Sequence, residues 1–195
     1  MLHTAHMNAP HAAPAALSEA TFAGGCFWCI ESAFQQLRGV VLAESGYSNG
    51  EHPSPNYEAV CSGTTGHAEV VLVRFDPQLV SYGQLLEVFF ALHDPTTLNR
   101  QGHDVGTQYR SGIYTHSPEQ AAQARALIEH LSVSRVYPAP IVTEVEPVRN
   151  YHPAEAYHQG YAERNPFQGY CAMVVAPKLE KFRKTFADLL QSPGH

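Results

Sequence analysis

The chain has 195 residues, 44% hydrophobic and 15% charged, with a formal net charge of −6. That composition is globular rather than disordered, the length suits one domain with a real core, and the acidic balance argues against a nucleic-acid partner. No run approaches the ~18 consecutive apolar residues of a membrane span.

In chain order, residues 1–17 carry no Lys or Arg and no apolar centre, so they do not make a secretory signal and are expected to be a flexible tail. His3, His6 and His11 are too scattered there for a metal site, and Met7 is an alternative start. Residues 18–195 are expected to form a single domain. Ala20–Ala23 reads as a strand. A helix follows Cys26 and ends near Arg38-Gly39, with Phe27, Ile30, Phe34 and Leu37 near one stripe. Val40–Ser45 reads as a strand and Tyr47–Thr65, with its prolines, glycines and asparagines, as a loop. His67–Phe75 is apolar on both faces and is expected at the centre of a sheet. Ser81–Leu92 is an amphipathic helix, His93–Thr107 a second long loop and Tyr109–Thr115 a strand. Ser117-Pro118-Glu119-Gln120 supplies an N-cap and an N1 proline to a helix running to about Leu131. Ile141–Glu146 reads as a strand, Pro153–Arg164 as a helix and Lys178–Leu190 as a final helix. The order β-α-β-β-α-β with additions predicts an α+β fold. Its expected form is a two-layer sandwich on a ferredoxin-like split βαβ core, with a mostly antiparallel sheet, long loops and C-terminal helices.

Gly24-Gly25-Cys26-Phe27-Trp28-Cys29 concentrates the chemistry. It holds the only tryptophan and two of the four cysteines. A cysteine at a helix start meets unpaired N–H groups and the positive end of the helix dipole, which favour a thiolate. The competing reading is a buried structural cysteine. The CxxC spacing leaves redox chemistry and half of a zinc site both open. Four cysteines without a secretory signal suit a reducing compartment, with the cytoplasm as default.

Several long motifs in register are similar to the A-type peptide methionine sulfoxide reductases: Thr21 to Leu37, Gly63-Thr64-Thr65-Gly66-His67-Ala68-Glu69-Val70, His93-Asp94-Pro95-Thr96, Arg100 to Ser111, Tyr157-His158-Gln159, and Asn165-Pro166-Phe167-Gln168-Gly169-Tyr170-Cys171. The resemblance covers about residues 20 to 175. It implies an oxidoreductase of protein repair under oxidative stress that reduces the S-epimer of methionine sulfoxide, free and in proteins. It implies Cys26 as nucleophile, passing through a sulfenic acid, and Glu69 as proton donor. Tyr57 and Tyr109 would hydrogen-bond the substrate oxygen, Asp104 would hold the substrate's backbone nitrogen or a water, and Phe27 and Trp28 would form the wall that accepts the methyl group. Cys171 would resolve the sulfenic acid as a disulfide, with Cys29 the alternative, and thioredoxin (or dithiothreitol) would re-reduce it. No cofactor or metal is expected, and the chain is expected to be a monomer. Cys61 reads as a small buried residue, and His67 and His158 as structural histidines. His152, Glu155 and His158, spaced by three along the expected helix, are a weak metal candidate. A zinc module built on Cys26 and Cys29, and a general thiol oxidoreductase using the CxxC pair, are the rival functions.

Overall fold

In a computed structural model the described residues are 16–192, so residues 1–15 of the expected tail, with its three histidines and Met7, lie outside them. Six strands form one sheet in the order β7-β6-β1-β3-β2-β8. They are β1 Ser18–Gly24, β2 Val40–Ser48, β3 Ala68–Phe75, β6 Ser111–Thr115, β7 Glu144–Pro147 and β8 His152–Pro153. A separate hairpin pairs β4 Arg100–Gln101 with β5 Asp104–Val105. The sheet pairings are antiparallel except β6 with β7. A parallel neighbour needs a long crossover, and α4 (Pro118–Val133) provides it. The expected α+β class holds.

As its unbroken apolar run requires, β3 lies between β1 and β2 and is buried at every position but Arg74. Strand alternation sends Val71, Val73 and Phe75 to the face covered by α1 (Phe27–Gln35), α3 (Tyr82–Leu92) and α6 (Ala176–Thr185). Phe22 of β1 stacks on Phe34 and Phe89 at 5.1 Å each. The opposite face carries a small cluster, Ala23, Ala68, Val70 and Tyr114, capped by Val148 and Tyr151. Ser81 caps α3 through a full capping box with Gln84, and Ser117 caps α4.

Four expectations are corrected. The segment Tyr47–Thr65 is not all loop: β2 runs on to Ser48, and Asn56 Oδ1 accepts the Ala59 N–H at 2.8 Å to start α2 (Tyr57–Cys61). Tyr109 ends a 3₁₀ turn, and its strand starts at Ser111. The helix expected over Pro153–Arg164 is strand β8, a 3₁₀ turn Ala156–His158 and the single turn α5 (Tyr161–Arg164), split by Gly160 at φ 66°. The last helix starts earlier, as a π-helical turn over Cys171–Val175 that continues into α6.

Candidate active site

The backbone arrives at Cys26 through a turn only glycine tolerates well. Gly25 has φ +91°, and a Cβ there would sit 2.7 Å from the Gln101 side chain. Cys26 is then the N-cap of α1, as expected from the sequence, and its side chain makes no capping hydrogen bond to the helix start.

Beneath this helix start lies Glu69, the second residue of β3. The alternation that buries Val71 and Val73 puts Glu69 on the same helix-covered face, one pleat nearer the strand's start. It is 2% exposed, and Oε1 accepts the Phe27 N–H at 3.2 Å. Burial pushes its carboxyl up to about 8, against that hydrogen bond, and Asp104 adds to the rise. Glu69 therefore keeps its proton at pH 7.

The electrostatic expectation for Cys26 is overturned. Burial and then the Glu69 carboxyl push its thiol well above its ordinary value, and the Trp28 N–H offsets only part of this. One helix-end N–H does not compensate for removing a thiolate from water next to an acid. The resting pair is thiol and carboxylic acid.

Around this pair a cavity of about 120 Å³ is lined by Cys26, Phe27, Trp28, Tyr57, Glu69, Asp104, Tyr109 and Tyr170. The volume is well below the ~300 Å³ of a site for a drug-sized ligand, and it suits the tip of one side chain. Burial raises the hydroxyls of Tyr57 and Tyr109, so both stay protonated as donors. Trp28 Nε1 donates to His158 Nδ1 at 3.0 Å, and its ring stacks on Tyr161 at 3.9 Å.

Seven of the sequence-derived candidates thus meet in one cavity: Cys26, Phe27, Trp28, Tyr57, Glu69, Asp104 and Tyr109. Tyr170 was not among them. Its hydroxyl donates to Asp104 Oδ2 at 2.6 Å, and its ring meets Trp28 edge-on at 6.0 Å. Its place beside Cys171 in a matched motif was the only available signal. Glu155 was also missed as a support of the site. It accepts the Tyr47 hydroxyl at 2.9 Å, the Tyr57 N–H at 3.2 Å and the Tyr157 hydroxyl at 3.1 Å.

Cys171 is not brought to the cavity. It is buried and lines a separate cavity of about 210 Å³ with Ser32, Ala162 and Leu179. Cys29, one turn along α1 from Cys26, is buried as well. Burial pushes its thiol up to about 11, with Lys178 lowering it and the neighbouring Cys171 raising it. Cys61 is exposed rather than buried, with the Tyr57 and Tyr109 hydroxyls beside its sulfur. His67 is a satisfied structural histidine: Nδ1 accepts the Gly50 N–H at 3.1 Å and Nε2 donates to the His52 carbonyl at 2.8 Å. No three His, Cys, Asp or Glu side chains gather as metal ligands among the described residues. His152, Glu155 and His158 are divided between a strand, a turn start and a turn.

The family model described as peptide methionine sulfoxide reductase matches residues 18–190. A peptide methionine sulfoxide reductase MsrA from Polynucleobacter asymbioticus is 55% identical over 174 residues, which is 89% of this chain and 92% of that protein. Mxr1 of Saccharomyces cerevisiae in reduced form superposes with a TM-score of 0.74 at 37% identity, covering 80% of this chain and 89% of that one. Mxr1 in complex with Trx2 superposes with a TM-score of 0.52 at 27% identity, covering 74% and 84%. A thiol and a neutral carboxylic acid share one small aromatic cavity in a chain matched along nearly its whole described length, and the chain belongs to the peptide methionine sulfoxide reductase family of oxidoreductases.

Proposed function

We propose that the chain reduces methionine-S-sulfoxide, free and in proteins, to methionine, with Cys26 as nucleophile and Glu69 as acid. The observation that carries this is the 120 Å³ cavity, where the Cys26 thiol, the neutral Glu69 carboxyl and the Tyr57 and Tyr109 hydroxyls converge between Phe27 and Trp28. A sulfoxide has a soft, electrophilic sulfur, an oxygen that must be protonated to leave, and a methyl group that favours contact with aromatic rings. Each of the three has a partner in the cavity.

In the proposed step the Cys26 sulfur attacks the sulfoxide sulfur while Glu69 gives its proton to the oxygen. The Cys26 proton then replaces the one Glu69 lost. The protonated oxygen moves from the substrate sulfur to Cys26, which breaks the substrate S–O bond and the S–S bond made in the attack, so thiol and sulfoxide become sulfenic acid and thioether. The tyrosine hydroxyls hold the oxygen, and Asp104, fixed by Tyr170, holds the substrate backbone or a water.

A second thiol condenses with the sulfenic acid, giving a disulfide and water. We assign this to Cys171, with Cys29 as the alternative. Residue 170 already lines the cavity, so unwinding the π-helical turn at 171–175 moves the next residue towards Cys26; π turns are rare and often mark functional sites. The likeness to a relative solved with Trx2 supports thioredoxin as the dithiol that reopens the disulfide. The four free thiols fit a reducing cytoplasm. The test is turnover of separated S and R epimers of methionine sulfoxide with dithiothreitol as reductant. The S-epimer should be consumed and the R-epimer left; consumption of neither, or of R alone, overturns the reading.

A further inference from the structure

Trp28 is a pocket wall whose indole N–H and stacked face are both held by one irregular segment. Its indole N–H donates to His158 Nδ1, and its face lies on Tyr161 at 3.9 Å and 12°. Both partners belong to residues 156–164, a 3₁₀ turn and a single helical turn, neither long enough to hold its own shape. Between them Gly160 turns the backbone left-handed at φ +66°.

A carboxyl buried under this turn ties it down. Glu31 lies three residues after Trp28 on the same side of α1 and is 1% exposed. Its Oε2 accepts the Gly160 N–H at 2.8 Å and its Oε1 accepts the Ser45 hydroxyl at 3.2 Å. Gln159 adds a second tie to β2, taking the Ser45 N–H at 2.9 Å and donating to the Ser45 carbonyl at 2.8 Å. Glu31 makes no ion pair among the described residues, and the facing charge is the Glu163 carboxylate of α5, which disfavours its ionisation. A buried carboxyl without a cation is costly to ionise, and the hydrogen bonds it accepts are what hold it in place here.

We propose that Glu31 is a positioning residue for substrate binding: through its hydrogen bond to Gly160 it fixes the turn that clamps His158 and Tyr161 onto Trp28. The inference rests on reading Trp28 as a wall of the methyl-sulfoxide cavity. Supporting shells of this kind set how well a site is preorganised.

The test compares Glu31→Leu with Glu31→Gln. Leucine fills the space without an acceptor; glutamine keeps an acceptor for the Gly160 N–H. Because Trp28 is the only tryptophan, acrylamide quenching of the free protein reads the clamp without turnover. In Glu31→Leu, quenching should rise and KM for a methyl sulfoxide should increase about tenfold or more, with the single-turnover rate at saturation much less affected. Its melting temperature should fall modestly, because the Gly160 N–H and the Ser45 hydroxyl lose their acceptor, and quenching and KM are compared at a temperature where both variants are folded. Glu31→Gln should restore both quenching and KM. The proposal is overturned if Glu31→Leu matches the unsubstituted protein in quenching and KM, or if Glu31→Gln behaves like Glu31→Leu. Gly160→Ala, strained at φ +66°, should loosen Trp28 while Glu31 is intact, and unchanged quenching there also counts against it. Absence of sulfoxide turnover in the unsubstituted protein would defeat the proposed function instead, and the quenching comparison would still decide the clamp.

Discussion

Cys26 and Glu69 enter the proposed reaction each carrying a proton, and this fixes how the rate should depend on pH. Burial raises Glu69 to about 8, so its acid form persists through neutrality and is lost as pH rises past 8. The single-turnover rate should be flat from pH 6 to about 8 and fall above it, by about tenfold per unit once the proton is gone. Stopped-flow measurement of methionine release checks this. A rate that climbs through pH 8 would mean that the Cys26 thiolate is the reactive form and would sink the doubly protonated start. Glu69→Gln keeps the cavity's shape but has no proton to release, so the step should slow by roughly 10²–10⁴-fold and lose the fall at pH 8. Cys26→Ser should form no methionine even with enzyme stoichiometric to substrate, and any product there would remove Cys26 as nucleophile. At this scale the sequence was most informative where residues sit inside long motifs. Tyr170 escaped because its role exists only through Asp104, 66 positions away, and ten tyrosines offer no compositional contrast. The thiolate expectation for Cys26 failed because a helix dipole is local and readable, whereas desolvation by Glu69's side of the fold is not.

At the scale of elements, α1 was legible from its Gly-Gly-Cys start and apolar stripe, because both signals are local. The Pro153–Arg164 segment was not. Its composition permits a helix, but the Gln159 side chain is claimed by Ser45 of β2 and the Gly160 N–H by Glu31 of α1, and these tertiary bonds override propensity. The same limit applies to Cys171, which follows a run holding Asn165, Pro166 and Gly169, none of them a helix former. It instead begins a π-helical turn and is buried beside α1. If the turn unwinds to deliver it, Cys171→Ser should still release one equivalent of methionine in the first turnover, since attack precedes resolution. Cycling with thioredoxin should then stall, with a sulfenic acid that dimedone traps. Peptide mapping of the oxidised protein should join Cys26 to Cys171. A Cys26–Cys29 peptide together with continued cycling of Cys171→Ser would make Cys29 the resolving residue.

For the molecule as a whole, the buried titratable groups set a stability profile that leans towards acid. Glu31 rises from the ordinary 4.5 to about 7, and Glu69 from 4.5 to about 8, both chiefly through burial. The folded state therefore holds protons that the unfolded chain has already released, and stability is lost as pH climbs from about 4.5 to 8. His93 works the other way. Burial lowers it from 6.5 to about 4, so the unfolded chain gains a proton first and stability is lost as pH falls below 6.5. His67, His116 and His158 are lowered in the same direction. These opposed slopes overlap on the mildly acidic side of neutrality and largely cancel there. Nothing comparable offsets the alkaline side. Burial raises the thiols of Cys26 and Cys29 and the hydroxyls of Tyr47, Tyr82, Tyr114, Tyr151 and Tyr170, so the unfolded chain releases those protons first. The melting temperature should thus be highest near pH 6, decline gently to pH 8 and drop steeply above about pH 9, where ordinary thiols and then phenols ionise. Thermal unfolding followed by circular dichroism in buffers from pH 5 to 10.5 measures this directly. Glu69→Gln, which removes the proton linkage without emptying the site, should flatten the decline between pH 6 and 8 and leave the alkaline drop in place. A melting temperature constant or rising from pH 8 to 10 would contradict the account. So would an unchanged neutral limb in Glu69→Gln, because that limb is assigned to Glu69 and Glu31 together.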